Sequence, residues 1–272
     1  MKDDVNRMDS LTATSADGTV VGAEVIGDGP PLLAIHGSTA DRNRWTSVRD
    51  PLAASFRVHL MDRRGRGLSS QETEANYSIE REAEDIRALV EAIGGPVLIL
   101  SHSYGGACSL EAATACAGIE RMLVYEPALS TTEGSINLEQ SVADIERAAA
   151  NDDREAILTL FFSRMLQLDE ATIDAMRATP VWEHRLAAAP TLAREVRQAN
   201  AYRADPGRLG VIDVPVRILL GTETTPELTR AAHATQSAVP GAELVELPGH
   251  GHAAMDADPP MFVAQVEDWL LP

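Results

Sequence analysis

Positive charge is scarce in this chain. Of its 272 residues only 23 are Lys or Arg against 41 Asp or Glu, a net charge of −18. Nucleic acid and anionic membrane surfaces both require a basic face, so neither is expected as a partner. Long apolar runs are lacking too, with no stretch approaching the ~18 residues of a membrane span. The start, Met1-Lys2-Asp3-Asp4-Val5-Asn6, has no apolar h-region, which makes a cytoplasmic location the expectation. Cysteine is limited to Cys108 and Cys116, eight apart in what reads as one helix. At ~1.5 Å rise per residue they lie about 12 Å apart, too far for a disulfide, whose Cα atoms sit within ~7 Å. They read as small core residues. No cluster of Cys, His and Asp has metal-ligand spacing, and no glycine loop with a following lysine could cradle phosphates. No metal and no cofactor is expected. Internal repeats and low-complexity segments are absent as well.

What is present is an ordinary globular composition, 44% apolar and 24% charged, long enough for one large domain or a domain carrying an insertion. Residues 11–14 and 19–26 read as antiparallel strands about the turn Ala16-Asp17-Gly18. Pro31-Leu32-Leu33-Ala34-Ile35 is a continuous apolar strand, as expected where helices cover both faces of a sheet. It ends in His36-Gly37-Ser38-Thr39. Residues 57–61 form the next strand, closed by Asp62-Arg63-Arg64-Gly65-Arg66-Gly67-Leu68-Ser69. The three arginines of that turn read as solvated, with Arg64 making local hydrogen bonds, rather than as an anion site. Ser78 can cap a helix in which Ile86, Leu89, Val90 and Ile93 repeat at helical spacing, ended by Gly94-Gly95-Pro96.

Val97-Leu98-Ile99-Leu100 then leads into Ser101-His102-Ser103-Tyr104-Gly105, and a helical segment follows. A serine between a buried strand and a helix sits on a sharp turn. Ser101 and Gly105 are small because backbone atoms crowd there. The turn lifts the Ser103 hydroxyl above the sheet and puts the Tyr104 N–H at a helix start, where negative charge is favoured. This is similar to the nucleophile elbow, Gly-x-Ser-x-Gly, of the α/β-hydrolase superfamily, with Ser101 at the first glycine. The Asp62–Ser69 turn resembles that superfamily's Asp-x-Arg-Gly-x-Gly-x-Ser.

Further strands are read at 121–127, 214–221 and 242–247, and residues 131–203 carry helical segments at 142–150, 154–166, 170–178 and 192–202. The resemblance therefore implies a mostly parallel eight-stranded α/β-hydrolase sheet flanked by helices. Residues 1–130 and 204–272 would form the core. Residues 131–203 would form a helical cap inserted after strand 6.

A serine hydroxyl needs an adjacent base, and the base needs a carboxylate to fix its tautomer. The resemblance implies the chain order Ser, acid, His. Its Gly-His turn after the last strand falls on Gly251-His252, which makes His252 the base, with His250 as the alternative. Its second oxyanion donor falls on the Ser38 N–H, beside that of Tyr104. Its usual aspartate position is Thr224, which has no carboxylate. Glu126, in Tyr125-Glu126-Pro127 at the end of strand 6, is the favoured acid, and Glu223 is the alternative. His59, His102, His184 and His233 match no catalytic position. Ser103 rules out the aspartate nucleophile that some superfamily members use.

The expected activity is that of a cofactor-independent serine hydrolase, esterase-like. Its substrate would be an uncharged or weakly charged ester, lactone or thioester, or a C–C bond. A non-hydrolytic lyase or cyclase on the same Ser–His site, or a small-molecule receptor, are the alternatives, because fold does not fix function.

Overall fold

The structure, a computed structural model, describes residues 9–70, 77–129 and 139–272. Eight strands form one sheet: β1 Asp9–Thr14, β2 Val20–Ile26, β3 Pro31–Ile35, β4 Arg57–Asp62, β5 Val97–His102, β6 Ile119–Tyr125, β7 Val216–Gly221 and β8 Glu243–Leu247, in the order β1-β2-β4-β3-β5-β6-β7-β8. The pairs β1·β2 and β2·β4 are antiparallel; from β4 to β8 every pair is parallel. Helices before and between the strands are α1 Arg49–Ala53, α2 Ile79–Ile93 and α3 Tyr104–Ala113. Between β6 and β7 lie α4 Glu139–Ala150, α5 Arg154–Leu160, α6 Glu170–Arg177, α7 Val181–Ala188, α8 Leu192–Ala201 and α9 Pro206–Leu209. The chain ends with α10 Pro226–Ala238, α11 Ala254–Ala257 and α12 Pro259–Leu270.

Strand parity divides the core in two. Leu33, Ile35, Val97, Ile99, Met122 and Val124 face α2 and α3, whereas Leu32, Ala34, Leu98, Leu100, Leu123 and Tyr125 face α1 and α12. Both sets are buried, which is why these strands read as unbroken apolar runs rather than alternating ones. The helices start where polar side chains can satisfy free N–H groups. Ser78 accepts from the Arg81 N–H (3.3 Å) and Asp258 from the Met261 N–H (3.1 Å). Gly94, at φ 74°, ends α2 in a conformation other residues avoid.

Helices α4 to α8 pack about their own apolar cluster, with Ile145, Leu158, Phe162, Trp182 and Leu192 at its centre. The helix expected over 154–166 divides, because α5 gives way to a π-helical turn at Phe161–Met165. The helix α7 was not legible in the sequence. Residues 131–138, the start of the expected insertion, lie outside the described residues, as do residues 1–8. One expectation is corrected here. Cys116 is not in the helix with Cys108: α3 ends at Ala113, and Cys116 lies in the turn beyond it. Both thiols are free. No helix among the described residues is long and apolar enough to cross a membrane.

Strand order reverses at the sheet centre, where β3 lies between β4 and β5, and open parallel sheets form their crevice above such a switch point. Register places Ile35 beside Ser101, and His102 beside Tyr125. The turns after β3, β5 and β6 therefore emerge side by side.

Candidate active site

All six residues of β5 are buried, and the strand ends in Ser103 at φ 55°, ψ −123°. A non-glycine residue in so sparsely populated a region costs about 1–3 kcal/mol, so its surroundings must hold it there. They do so through the backbone. The Ser103 N–H donates to the Tyr125 carbonyl (3.0 Å), and its own carbonyl accepts from Gly106 (2.9 Å) and Ala128 (3.0 Å). Ser101 is more than a small residue in this turn, because its hydroxyl shares a hydrogen bond with Ser109 of α3 (2.8 Å). Gly105 is required by close approach, since a Cβ there would lie 2.4 Å from the His36 carbonyl oxygen.

The turn after β3 packs against this elbow. A Cβ on Gly37 would stand 2.8 Å from that of Ser103. Among the described residues the Ser38 N–H has no hydrogen-bond acceptor. The Tyr104 N–H belongs to the first turn of α3, whose donors have no intrahelical partner. His36 fixes the turn. The Arg63 N–H donates to its Nε2 (3.2 Å), so that nitrogen is unprotonated and Nδ1–H donates to the Gly37 carbonyl (2.7 Å). Burial, then the Arg66 and Arg63 charges, push the His36 pKa well below its usual value. The ring is therefore neutral.

His252 follows β8 and keeps 21% of its side chain exposed, while Glu126 is wholly buried. His252 Nδ1–H donates to Glu126 Oε2. The same oxygen accepts the Thr224 hydroxyl (2.9 Å), and Oε1 accepts the Gly221 N–H (2.8 Å). Thr224 thus carries no charge of its own but lends its hydroxyl to the carboxylate that reaches His252. Glu126 adopts φ 45°, a left-handed conformation that turns its side chain across the end of β7. Two aromatic neighbours hold the His252 turn. The Tyr125 hydroxyl donates to the Gly251 carbonyl and accepts from the Ala254 N–H (3.1 Å). His102 Nε2–H donates to the His252 carbonyl (3.0 Å), and the two rings lie 4.4 Å apart. Burial, reinforced by His252, keeps His102 neutral, with its pKa well below the usual value.

The structure therefore brings Ser103, Ser38, Tyr104, Glu126 and His252 to one edge of the sheet. The Ser103 hydroxyl makes no hydrogen bond among the described residues, to His252 or to any other group; the two turns are linked through His102, which precedes Ser103 and packs on His252. Glu223 is exposed; its N–H donates to the His250 carbonyl (2.9 Å), and its carboxylate does not reach His252. The His250 ring takes no part in the hydrogen-bond chain. No group of three or more His, Cys, Asp or Glu among the described residues could hold a metal ion.

Residues 32–266 match the family model described as "Alpha/beta hydrolase family". The chain belongs to the alpha/beta hydrolase family. An uncharacterized protein of Mycobacterium tuberculosis is 25% identical over 268 residues, covering 90% of this chain and 76% of the relative. A putative non-heme chloroperoxidase of Synechocystis is 27% identical over 244 residues, 85% of this chain and 87% of its own length. Among solved structures, an alpha/beta hydrolase from Sphaerobacter thermophilus superposes with a TM-score of 0.80 at 28% identity, covering 93% of this chain and 99% of that one.

Within this hydrolase fold the Asp62–Ser69 turn departs from expectation. Its arginines are not solvated: Arg63 and Arg64 have no exposed surface and Arg66 keeps 3%. Arg63 pairs with Glu82 (2.6 Å) and Glu195 (3.3 Å), Arg64 forms a two-point pair with Asp85 (2.6 and 2.7 Å), and Arg66 pairs with Glu195. The partners sit on α2 and α8, 19 to 132 residues away, so no local spacing could announce them. Sequence reasoning also passed over His102 and Tyr125. The one signal available was their position, each immediately before a candidate catalytic residue at a strand end.

Proposed function

We propose that the protein is a cofactor-independent serine hydrolase acting on the acyl carbon of an ester, lactone or thioester. Ser103 is the nucleophile, His252 the base, Glu126 the acid, and the Ser38 and Tyr104 N–H groups form the oxyanion hole. The helices of the insertion act as a cap over this edge. The observation that carries the reading is the conjunction at one sheet edge. A serine in a strained conformation shares that edge with the Ser38 and Tyr104 N–H groups and with a histidine whose Nδ1 is held by a buried carboxylate. A carboxylate at Nδ1 fixes the tautomer in which Nε2 is unprotonated and faces outward. On substrate binding, Ser103 Oγ turns toward Nε2, a contact that often closes only in the Michaelis complex. The hydroxyl proton passes to Nε2 as Oγ bonds to the acyl carbon, and the carbonyl oxygen becomes an oxyanion held by the two N–H groups. His252 then returns the proton to the departing alkoxide or thiolate. Water, deprotonated by His252, releases the acid and restores Ser103.

The reading is tested with a fluorophosphonate probe followed by peptide mapping. Label on Ser103, with more than about 10³-fold loss of turnover in a folded Ser103→Ala protein, is the expected result. Undiminished turnover in Ser103→Ala would remove Ser103 from its role.

A further inference from the structure

Arg185, on α7 in the middle of the helical insertion, is a guanidinium without a counter-ion at the rim of the site. The side chain is half-buried, and Nη1 donates to the Thr39 hydroxyl (2.9 Å). Its guanidinium carbon lies over the Phe162 ring, 5.1 Å from the centroid. A guanidinium has five donors, and no other hydrogen bond engages those of Arg185 among the described residues. No carboxylate among them forms an ion pair with it. The acid whose charge acts on it is Asp256, which makes no ion pair with it and accepts instead from Arg44 (2.6 Å) and Ser47 (2.6 Å). Arg44 adds a repulsive charge. Burial first, then Arg44, push the Arg185 pKa down to about 10, with Asp256 opposing. Elsewhere in this molecule buried arginines are matched to acids, as Arg63 and Arg64 are.

Position gives the mismatch its meaning. Thr39 is the residue after the oxyanion donor Ser38, held at φ 57° and 3% exposed. Asp256 follows the base His252 by four residues. Arg185 thus sits where the oxyanion turn and the base turn meet beneath α7. Adjacent Cα atoms lie ~3.8 Å apart, and a charge-assisted hydrogen bond spans about 2.8 Å. Those spans apply on either side of the Ser38–Thr39 step, so an anion received by Arg185 would lie one residue along the same turn from the oxyanion site.

We propose that Arg185, anchored by Thr39, reads a carboxylate on the substrate, so that the enzyme selects short acyl compounds bearing an acid group near the scissile carbonyl. This deepens the serine-hydrolase reading and rests on it for the position of the carbonyl. It replaces the expectation of an uncharged or weakly charged substrate. It also runs against the field of a protein of net charge −18, which repels anions unless a local cation gathers them.

The test is calorimetric binding to the Ser103→Ala protein, which does not depend on turnover. Monomethyl glutarate, with one free carboxylate, is compared with dimethyl glutarate, which has none. The monoester should bind roughly ten- to a hundredfold more tightly, and Ser103→Ala/Arg185→Gln should lose that preference. Arg185→Lys keeps a point charge without the planar fork, so an intermediate preference is expected even where the glutamine variant folds poorly. Equal affinities for the pair, no binding of the monoester, or a preference that survives Arg185→Gln would each overturn the proposal. Fluorophosphonate labelling of the unsubstituted enzyme answers separately for the hydrolase reading. Failure there with an intact anion preference would indict the nucleophile, not Arg185.

Discussion

Two buried carboxylates of this molecule, Glu126 and Glu195, do opposite things. They are 0% and 1% exposed, and each accepts several donors. Glu195 gives its oxygens to Arg63, Arg66 and the Ser38 hydroxyl (2.7 Å). Burial works to raise its pKa, but the Arg63 and Arg66 charges and the Ser38 hydroxyl prevail and leave it at about 2. Apart from the half-buried Ser38, every group in that set is enclosed, and the set ties α8 to the turns after β3 and β4. Glu126 instead spends one oxygen on His252, whose other ring nitrogen faces open space. A buried carboxylate is therefore no mark of a catalytic acid by itself. The mark is a titratable partner with one nitrogen still unused.

The comparison breaks most sharply at Glu126. Glu126→Gln should lower kcat by on the order of 10⁴, because an amide stabilises neither the tautomer nor the imidazolium. Glu223→Gln, at an exposed position, should stay within about threefold. Steady-state kinetics on a chromogenic ester reads both, and full activity in Glu126→Gln would end its assignment as the acid.

On the other side, Glu195→Gln should cost stability. It leaves Arg63 and Arg66 short of a buried charge, which typically costs about 3–5 kcal/mol. Urea unfolding measures it, and a loss below 1 kcal/mol would show that Glu82 alone compensates Arg63.

Acid sharpens the contrast between groups held neutral and groups held charged. His36 and His102 have pKa values lowered well below 6.5 by burial. Below about pH 6.5 the unfolded chain takes up protons that the folded chain refuses, so stability is lost as pH falls. Each contributes at most about 1.4 kcal/mol between pH 7.5 and 5.5, and His59, also lowered by burial, works in the same direction. Asp85, raised to about 6 chiefly by burial, works the other way by less than about 1 kcal/mol. A net loss of roughly 2 kcal/mol is expected from denaturation curves at the two pH values. Flat stability over this range would mean that one of the histidines is charged in the fold.

The smallest effect belongs to Thr224→Val. It removes one hydrogen bond to Glu126 while keeping the shape, so kcat should fall roughly two- to tenfold with stability little changed. A loss as large as that of Glu126→Gln would mean that the hydroxyl alone positions the acid.

Local pattern carried the sheet. The strands at Pro31–Ile35, Arg57–Asp62 and Val97–His102 were legible because both their faces are buried and their ends are marked by glycine, proline or serine. The elbow was legible for the same reason. Its constraints are steric and act over five residues, from Ser101 to Gly105. The glutamate at the end of β6 was visible as a candidate, but the choice between it and Glu223 lay in distances across three strands. Thr224 could be read only as a missing aspartate. Its hydroxyl bond to Glu126 belongs to the tertiary structure alone. The helix α7 escaped because no capping side chain opens it and its apolar periodicity is weak, and with it went Arg185.

By itself, then, the sequence determined where strands lie along the chain and the chemistry available at their ends, because strand parity, turn geometry and helix capping are short-range. Only the tertiary structure decided which charges are paired. Arg63, Arg66 and Arg185 are identical side chains in identical solvent when unfolded. Folding sets the first two against Glu195 and leaves the third facing Thr39. Coulomb energy depends on separation in space, and separation along the chain does not encode it.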